Sequence, residues 1–287
     1  MILKYLSSLL IIVFFTSCSS TSFYVVNSMA KLGDYEKIED ISFNKYNSLD
    51  IYVPTIKKKN LPVIVFFYGG CWGACQNTDK QDYEFLADAL TERGYVVVIP
   101  DYRYYPKGDF ATIISDAADA TQWVKQNIQD YNGDNNNIFL MGHSAGAHIA
   151  IMLNAKDYLK DETYSSIRGA IGLSGPYDFI PYEESGLPKL EKIFGLQNEA
   201  FYSQPANFID GNEPAFFLAW GEKDTIVHKK SIVNLSNKIN EKDGKVKTIY
   251  YKDLDHSGLM TAFTRLLRDE KNIDDLTNFM ESNIKSK

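Results

Sequence analysis

Short runs of uninterrupted apolar residues recur along the chain, and polar, periodic segments separate them. Such runs fall at Pro62–Phe67, Tyr95–Ile99 and Ala215–Ala219, and further strand-like segments at Asn137–Met141, Arg168–Leu173 and Lys247–Tyr251. A run such as Pro62-Val-Ile-Val-Phe-Phe67 shows no alternation, as expected of a strand covered on both faces. The segments between the runs carry the helical period. Asp79–Arg93 is stopped by Gly94, and Ile113–Asn127 places Ile114, Ala117, Ala118, Thr121 and Val124 on one stripe. Ala147–Asn154, Ser231–Asn240 and Asp275–Ile284 read as further helices. Ahead of them, Ile41–Asn44 and Leu49–Val53 alternate like an antiparallel hairpin. This order predicts an α/β protein with a mostly parallel central sheet and helices on both faces. The rhythm breaks between Asp178 and Pro214, where Pro181, Gly186, Pro188, Gly195 and Pro205 surround one short helix-like stretch, Lys189–Phe194. Long excursions inside a compact domain are usually functional, so residues 179–213 are read as a small cap insertion.

The N-terminus follows another logic. Lys4 precedes seven consecutive apolar residues, Leu9–Phe15. A spanning helix needs roughly 20, so the run suits the hydrophobic region of a secretory signal. Phe15-Thr16-Ser17-Cys18, followed by Ser19, Ser20, Thr21 and Ser22, resembles a bacterial lipoprotein lipobox, with Phe15 where that pattern usually has Leu. The resemblance implies a signal peptide over 1–17, cleavage before Cys18, lipidation of Cys18, and a tether over 18–38. It also implies a place in the bacterial cell envelope, on the periplasmic or outer-membrane side, with membrane contact only through the lipid anchor.

Composition narrows the picture further. The 287 residues are 45% hydrophobic and 23% charged, a core-forming balance that excludes a disordered or fibrous chain. A net charge of −7 speaks against electrostatic binding to nucleic acid, which needs a basic face. The cysteines are Cys18, Cys71 and Cys75, without the spacing of a zinc site. Cys71 and Cys75 lie four apart in a glycine-containing loop, where either a disulfide or two free thiols can be accommodated.

The chemistry starts at Gly142-His143-Ser144-Ala145-Gly146, a G-x-S-x-G sequence between a strand and a helix. That context marks a nucleophile elbow, in which Ser144 occupies a strained turn and its neighbours two positions away must be small. A serine hydroxyl needs a base, and the base needs an orienting carboxylate. His256, in Leu254-Asp255-His256-Ser257-Gly258 just after the last strand, is the preferred base over His228. Asp224, on the loop after Ala215–Ala219, is the preferred acid, with Glu222 and Asp178 as rivals. An oxyanion hole requires preorganised donors, each worth about 3 kcal/mol. Tyr68-Gly69-Gly70-Cys71-Trp72 follows a buried strand, and the N–H groups of Gly70, Cys71 and Ala145 are the candidate donors.

This combination resembles the esterase branch of the α/β-hydrolase fold that carries an H-G-G-x-W motif, including kynurenine formamidases and related carboxylesterases. Asp101–Pro106, Ile114–Ala118, Trp123–Ile128, Tyr131–Asp134 and Asn137–His148 are similar to isoprenylcysteine methylesterases in particular. The resemblance covers roughly residues 40–285 and places the hydrolase domain at 39–287. It implies serine-dependent hydrolysis of a small-molecule carboxylic ester, or alternatively of an activated amide, without metal or organic cofactor. Tyr68 stands where the motif has His; its hydroxyl is either a further oxyanion donor or a brace for the loop. A peptidase and a non-catalytic binding protein are weaker alternatives, and substrate preference and oligomeric state are left open.

Overall fold

The apolar runs form the strands of a single eight-stranded sheet. The computed structural model describes residues 19–285 apart from 76–77, 183–186 and 197; the expected signal peptide and Cys18 lie outside the described residues. The strands are β1 (Tyr35–Ser42), β2 (Ser48–Pro54), β3 (Leu61–Phe67), β4 (Val96–Pro100), β5 (Gly133–His143), β6 (Ile167–Leu173), β7 (Ala215–Gly221) and β8 (Val246–Tyr251). They lie in the order β1-β2-β4-β3-β5-β6-β7-β8. The hairpin β1–β2 is antiparallel and β2 meets β4 antiparallel; every later pairing is parallel. All five residues of β4 and all seven of β7 are buried, which explains why these strands read as unbroken apolar runs.

The helices are α1 (Ser19–Ala30), α2 (Glu84–Thr91), α3 (Phe110–Asn127), α4 (Ala145–Ala155), α5 (Asp161–Tyr164), α6 (Leu187–Phe194), α7 (Lys229–Glu241), α8 (Gly258–Thr261) and α9 (Glu270–Asn283). Helix α4 packs on β5 and β6, α2 on β2 and β4, α7 on β7 and β8, and α9 on β6 and β7. Local chemistry sets several of their starts. Asp109 caps α3 by accepting from Thr112 N–H, and Asp269 caps α9 by accepting from Lys271 and Asn272 N–H. Phe66, Phe139 and Phe216 lie at the centre of the core, and burying each contributes about 1.5–3 kcal/mol.

Two segments differ from the sequence expectation. Where a tether was expected over 18–38, residues 19–30 are helical and the chain joins the sheet at Tyr35. Phe23 of α1 packs on Tyr83 and Phe85 at ring separations of 5.5 and 6.5 Å. The Asn27 side chain donates to Gln81 C=O and accepts from Phe85 N–H. Phe23, Val26 and Ala30 supply a helical stripe that the serine-rich start disguises. The Asp79–Arg93 segment divides into a 3₁₀ turn, Lys80–Tyr83, followed by α2. The stretch 179–214 holds α6 and two short 3₁₀ turns and contributes no strand among the described residues.

Candidate active site

Ser144 stands between β5 and α4 with φ 55° and ψ −122°, in a region that non-glycine residues seldom occupy. The glycines on either side permit this turn. A Cβ at Gly142 would lie 2.1 Å from Gly146 C=O oxygen, and one at Gly146 only 1.9 Å from the Phe67 carbonyl oxygen. The elbow therefore presses directly against the end of β3. Ser144 is held from behind, with its N–H donating to Leu173 C=O at 2.9 Å.

The loops after β7 and β8 are stitched together. Lys223 N–H donates to Leu254 C=O, and a Cβ at Gly221 would meet that same oxygen at 2.3 Å. Through this contact His256 Nδ1–H donates to Asp224 Oδ2 at 2.8 Å. Asp224 Oδ1 accepts from the N–H groups of Ile226 and Val227 at 2.8 and 2.9 Å. Trp220 Nε1–H closes the same turn on Val227 C=O. Burial alone would raise the Asp224 carboxyl, but the bonds from His256 and Val227 outweigh it and hold the group below its ordinary value. Neither rival bonds to His256. Asp178 accepts from the Asn234 amide at 2.6 Å, and Glu222 is exposed.

A cavity of about 550 Å³ opens beside Ser144. Cys71, Trp72 and Ala145 share its wall with the serine, and Phe179, Pro181, Lys189 and Leu190 close it from the insertion after β6. Ala145 opens α4, so its N–H has no partner within the helix. Gly70 lies one residue outside that wall with φ 124°, and a Cβ at Gly69 would come within 3.1 Å of Ser144 Cβ. The loop runs through positive φ at Gly70, Cys71, Trp72 and Gly73 and is closed by a Cys71–Cys75 disulfide with Cα atoms 5.3 Å apart. Of the two states open to these cysteines, the structure has the bridge. Tyr68 is turned away: its hydroxyl donates to Asp101 Oδ1 at 2.9 Å, and its ring stacks on Tyr83 and Tyr102. It braces the loop from beneath and points its hydroxyl away from the serine.

Two further histidines are built into the framework of the site: His148, which sits one turn into the elbow helix as a packed, hydrogen-bonded residue, and His143, which the sequence reading did not single out. His143 precedes the serine; its Nε2 lies 2.9 Å from His256 C=O, and its ring lies 4.7 Å from the His256 ring. Burial, then the neighbouring His256, push its pKa down to about 3. His148, one turn into α4, bonds through Nε2 to Ser203 C=O at 2.7 Å and accepts at Nδ1 from Trp72 Nε1–H at 3.2 Å. Burial pushes its pKa down to about 4. His228 is exposed and lines the cavity. Of the four histidines, His228 lines the cavity, His148 bonds to Trp72 of its wall, and His143 packs on His256.

A mostly parallel sheet led by an antiparallel hairpin, with a serine elbow after β5 and a bonded Asp224–His256 pair on the loops after β7 and β8, defines an α/β-hydrolase fold. The chain belongs to the BD-FAE family, whose model matches residues 49–239. It is 37% identical over 139 residues to a probable isoprenylcysteine alpha-carbonyl methylesterase of Oryza sativa subsp. japonica, covering 46% of this chain and 33% of that protein. To kynurenine formamidase of Danio rerio it is 32% identical over 165 residues, covering 56% of this chain and 52% of that protein. It thus spans between a third and about half of these relatives. A truncated carbohydrate esterase from gut microbiota superposes with a TM-score of 0.73 at 20% identity, over 87% of this chain and 97% of that one, a likeness of fold.

Proposed function

We propose that the protein is a serine hydrolase of carboxylic esters acting through Ser144, His256 and Asp224. The observation that carries this reading is the His256–Asp224 hydrogen bond, whose imidazole packs at 4.7 Å on the ring of His143, the residue that precedes the elbow serine. Asp224 fixes the proton on Nδ1 and leaves Nε2 as the basic nitrogen. Nε2 takes the Ser144 proton as the oxygen attacks the ester carbonyl. The carbonyl oxygen becomes anionic and is met by the N–H groups of Ala145, Cys71 and Gly70. His256 then passes the proton to the leaving alkoxide, which departs as the alcohol. Water repeats the cycle on the acyl-enzyme and releases the acid. The mainly apolar cavity wall suits an ester with an apolar acyl or alcohol part.

The test is turnover of p-nitrophenyl acetate together with fluorophosphonate labelling. Both should be lost in Ser144→Ala; retained turnover in that variant would overturn the assignment. The kynurenine formamidase relative gives the amidase alternative a specific basis. Parallel assays of aryl esters and N-formyl anilides decide between them, the ester reading requiring the larger kcat/KM on esters. Anchoring at the bacterial envelope through Cys18 is part of the same proposal. It predicts labelling by a fatty-acid probe that Cys18→Ser abolishes, and labelling that survives the substitution would refute it.

A further inference from the structure

Nucleophile and base come from chain segments more than a hundred residues apart, and one side chain spans them. His143 closes β5, so its backbone is continuous with the Ser144 turn. Its Nε2 meets the carbonyl oxygen of His256 itself at 2.9 Å. A carbonyl can only accept, so Nε2 carries the proton and Nδ1 is bare. The two imidazoles pack at 4.7 Å with their planes 48° apart. His256 is therefore held twice: at its ring by Asp224 and at its backbone by the residue preceding the nucleophile. Other ties on its loop, among them Lys223 N–H to Leu254 C=O, Gly258 N–H to Asp255 Oδ1 and Met260 N–H to Ser257 C=O, hold flanking residues and do not touch His256 itself.

We propose that His143 is a positioning residue that sets the distance between the Ser144 hydroxyl and the His256 imidazole, a role that rests on the triad reading above. Deep burial keeps its ring neutral, so it adds no positive charge beside His256 as that ring takes up the serine proton. The groups facing it are His256 on the loop after β8 and, beyond it, Asp224 on the loop after β7. Small errors in a reacting geometry act on the chemical step more than on binding.

The experiment compares His143→Phe, which keeps a ring and loses the donor, with His143→Gln, whose amide nitrogen reaches about as far as Nε2. The readouts are steady-state kcat and KM on p-nitrophenyl acetate, the rate of fluorophosphonate labelling of Ser144, and thermal stability. The Phe variant should lose about tenfold or more in kcat and in labelling rate, with KM within about twofold. The Gln variant should recover to within about threefold of the parent in both rates. A Phe variant with parental kcat and labelling rate would overturn the proposal. So would a folded Gln variant slowed about tenfold or more against the parent in both rates, and this arm stands even if Phe does not fold. Failure of the triad reading is separable, because it appears in the unsubstituted protein as absent labelling or in Ser144→Ala as retained turnover.

Discussion

Asp224→Asn isolates the orienting carboxylate with little change of shape. The aspartate makes three bonds: two from backbone N–H groups to Oδ1 and one from His256 to Oδ2. In the variant the amide oxygen must take the Oδ1 position, because an NH₂ there would face two donors. The amide nitrogen is then left toward His256 and can only donate. His256 must therefore accept at Nδ1 and carry its proton on Nε2, the nitrogen that has to receive the Ser144 proton. Nucleophile, cavity and loop persist while the base is held in the wrong tautomer. Where a serine–histidine pair has been disabled this way, the loss is about 10³–10⁴ in rate, or about 4–5 kcal/mol of transition-state stabilisation. Because both backbone bonds to Oδ1 survive, the melting temperature should fall by only a few degrees, the equivalent of about 1 kcal/mol. The assay is kcat/KM on p-nitrophenyl acetate at neutral pH alongside a thermal melt. A folded variant retaining more than about one-tenth of parental kcat/KM would show that Asp224 does not set the tautomer.

Other perturbations follow from the same geometry. Reducing Cys71–Cys75, or replacing both by Ser, should lower kcat about tenfold by freeing the left-handed turn that presents the Cys71 N–H; unchanged kcat with thiol titration showing complete reduction would refute this. Gly146→Ala drives a Cβ into the Phe67 carbonyl and should cost about 3 kcal/mol or prevent folding, and an unaltered melt would contradict the close approach. Trp72→Phe leaves buried His148 Nδ1 without its donor and should cost about 1–3 kcal/mol in denaturant titration; a change within error would sink the claim. His148 also sets a pH dependence. Its folded pKa, about 4, lies below the ordinary 6.5, so on acidification the unfolded chain protonates first and stability falls as pH drops from 6.5 toward 4. The loss should approach about 3 kcal/mol. His148→Gln should flatten that part of the stability–pH curve, and an unchanged slope would exclude His148 as its source.

How much of this was legible depended on whether a residue's partner lies within the pattern. The strands were readable because covering a sheet on both faces removes polar alternation, as in β4 and β7. The elbow was readable because its constraint is local: Ser144 can hold φ 55° only with minimal side chains at Gly142 and Gly146. Asp224 and His256 followed from chain order and strand ends. Helix α1 was missed because what holds it is distant, Phe23 on Tyr83 and Asn27 on Gln81 and Phe85, while its own serine-rich start looks like a tether. For Tyr68 the sequence offered two uses of one hydroxyl, and only the position of Asp101, 33 residues away, decided between them.

The histidines carry this furthest, since residue type alone does not separate them. His143 and His148 are buried, and their ring nitrogens meet backbone carbonyls and an indole N–H, partners that suit a neutral ring. A proton added to either would be buried, in His148 with no counter-charge and in His143 with only Asp224 beyond the His256 ring, and in His148 it would also break the bond from Trp72. His256 is bonded to a carboxylate and keeps 16% of its side chain exposed. A proton arriving at its Nε2 is therefore compensated across the ring by Asp224. The partner on the far side of each imidazole separates the ring able to carry a charge through the reaction from the two that hold the framework around it.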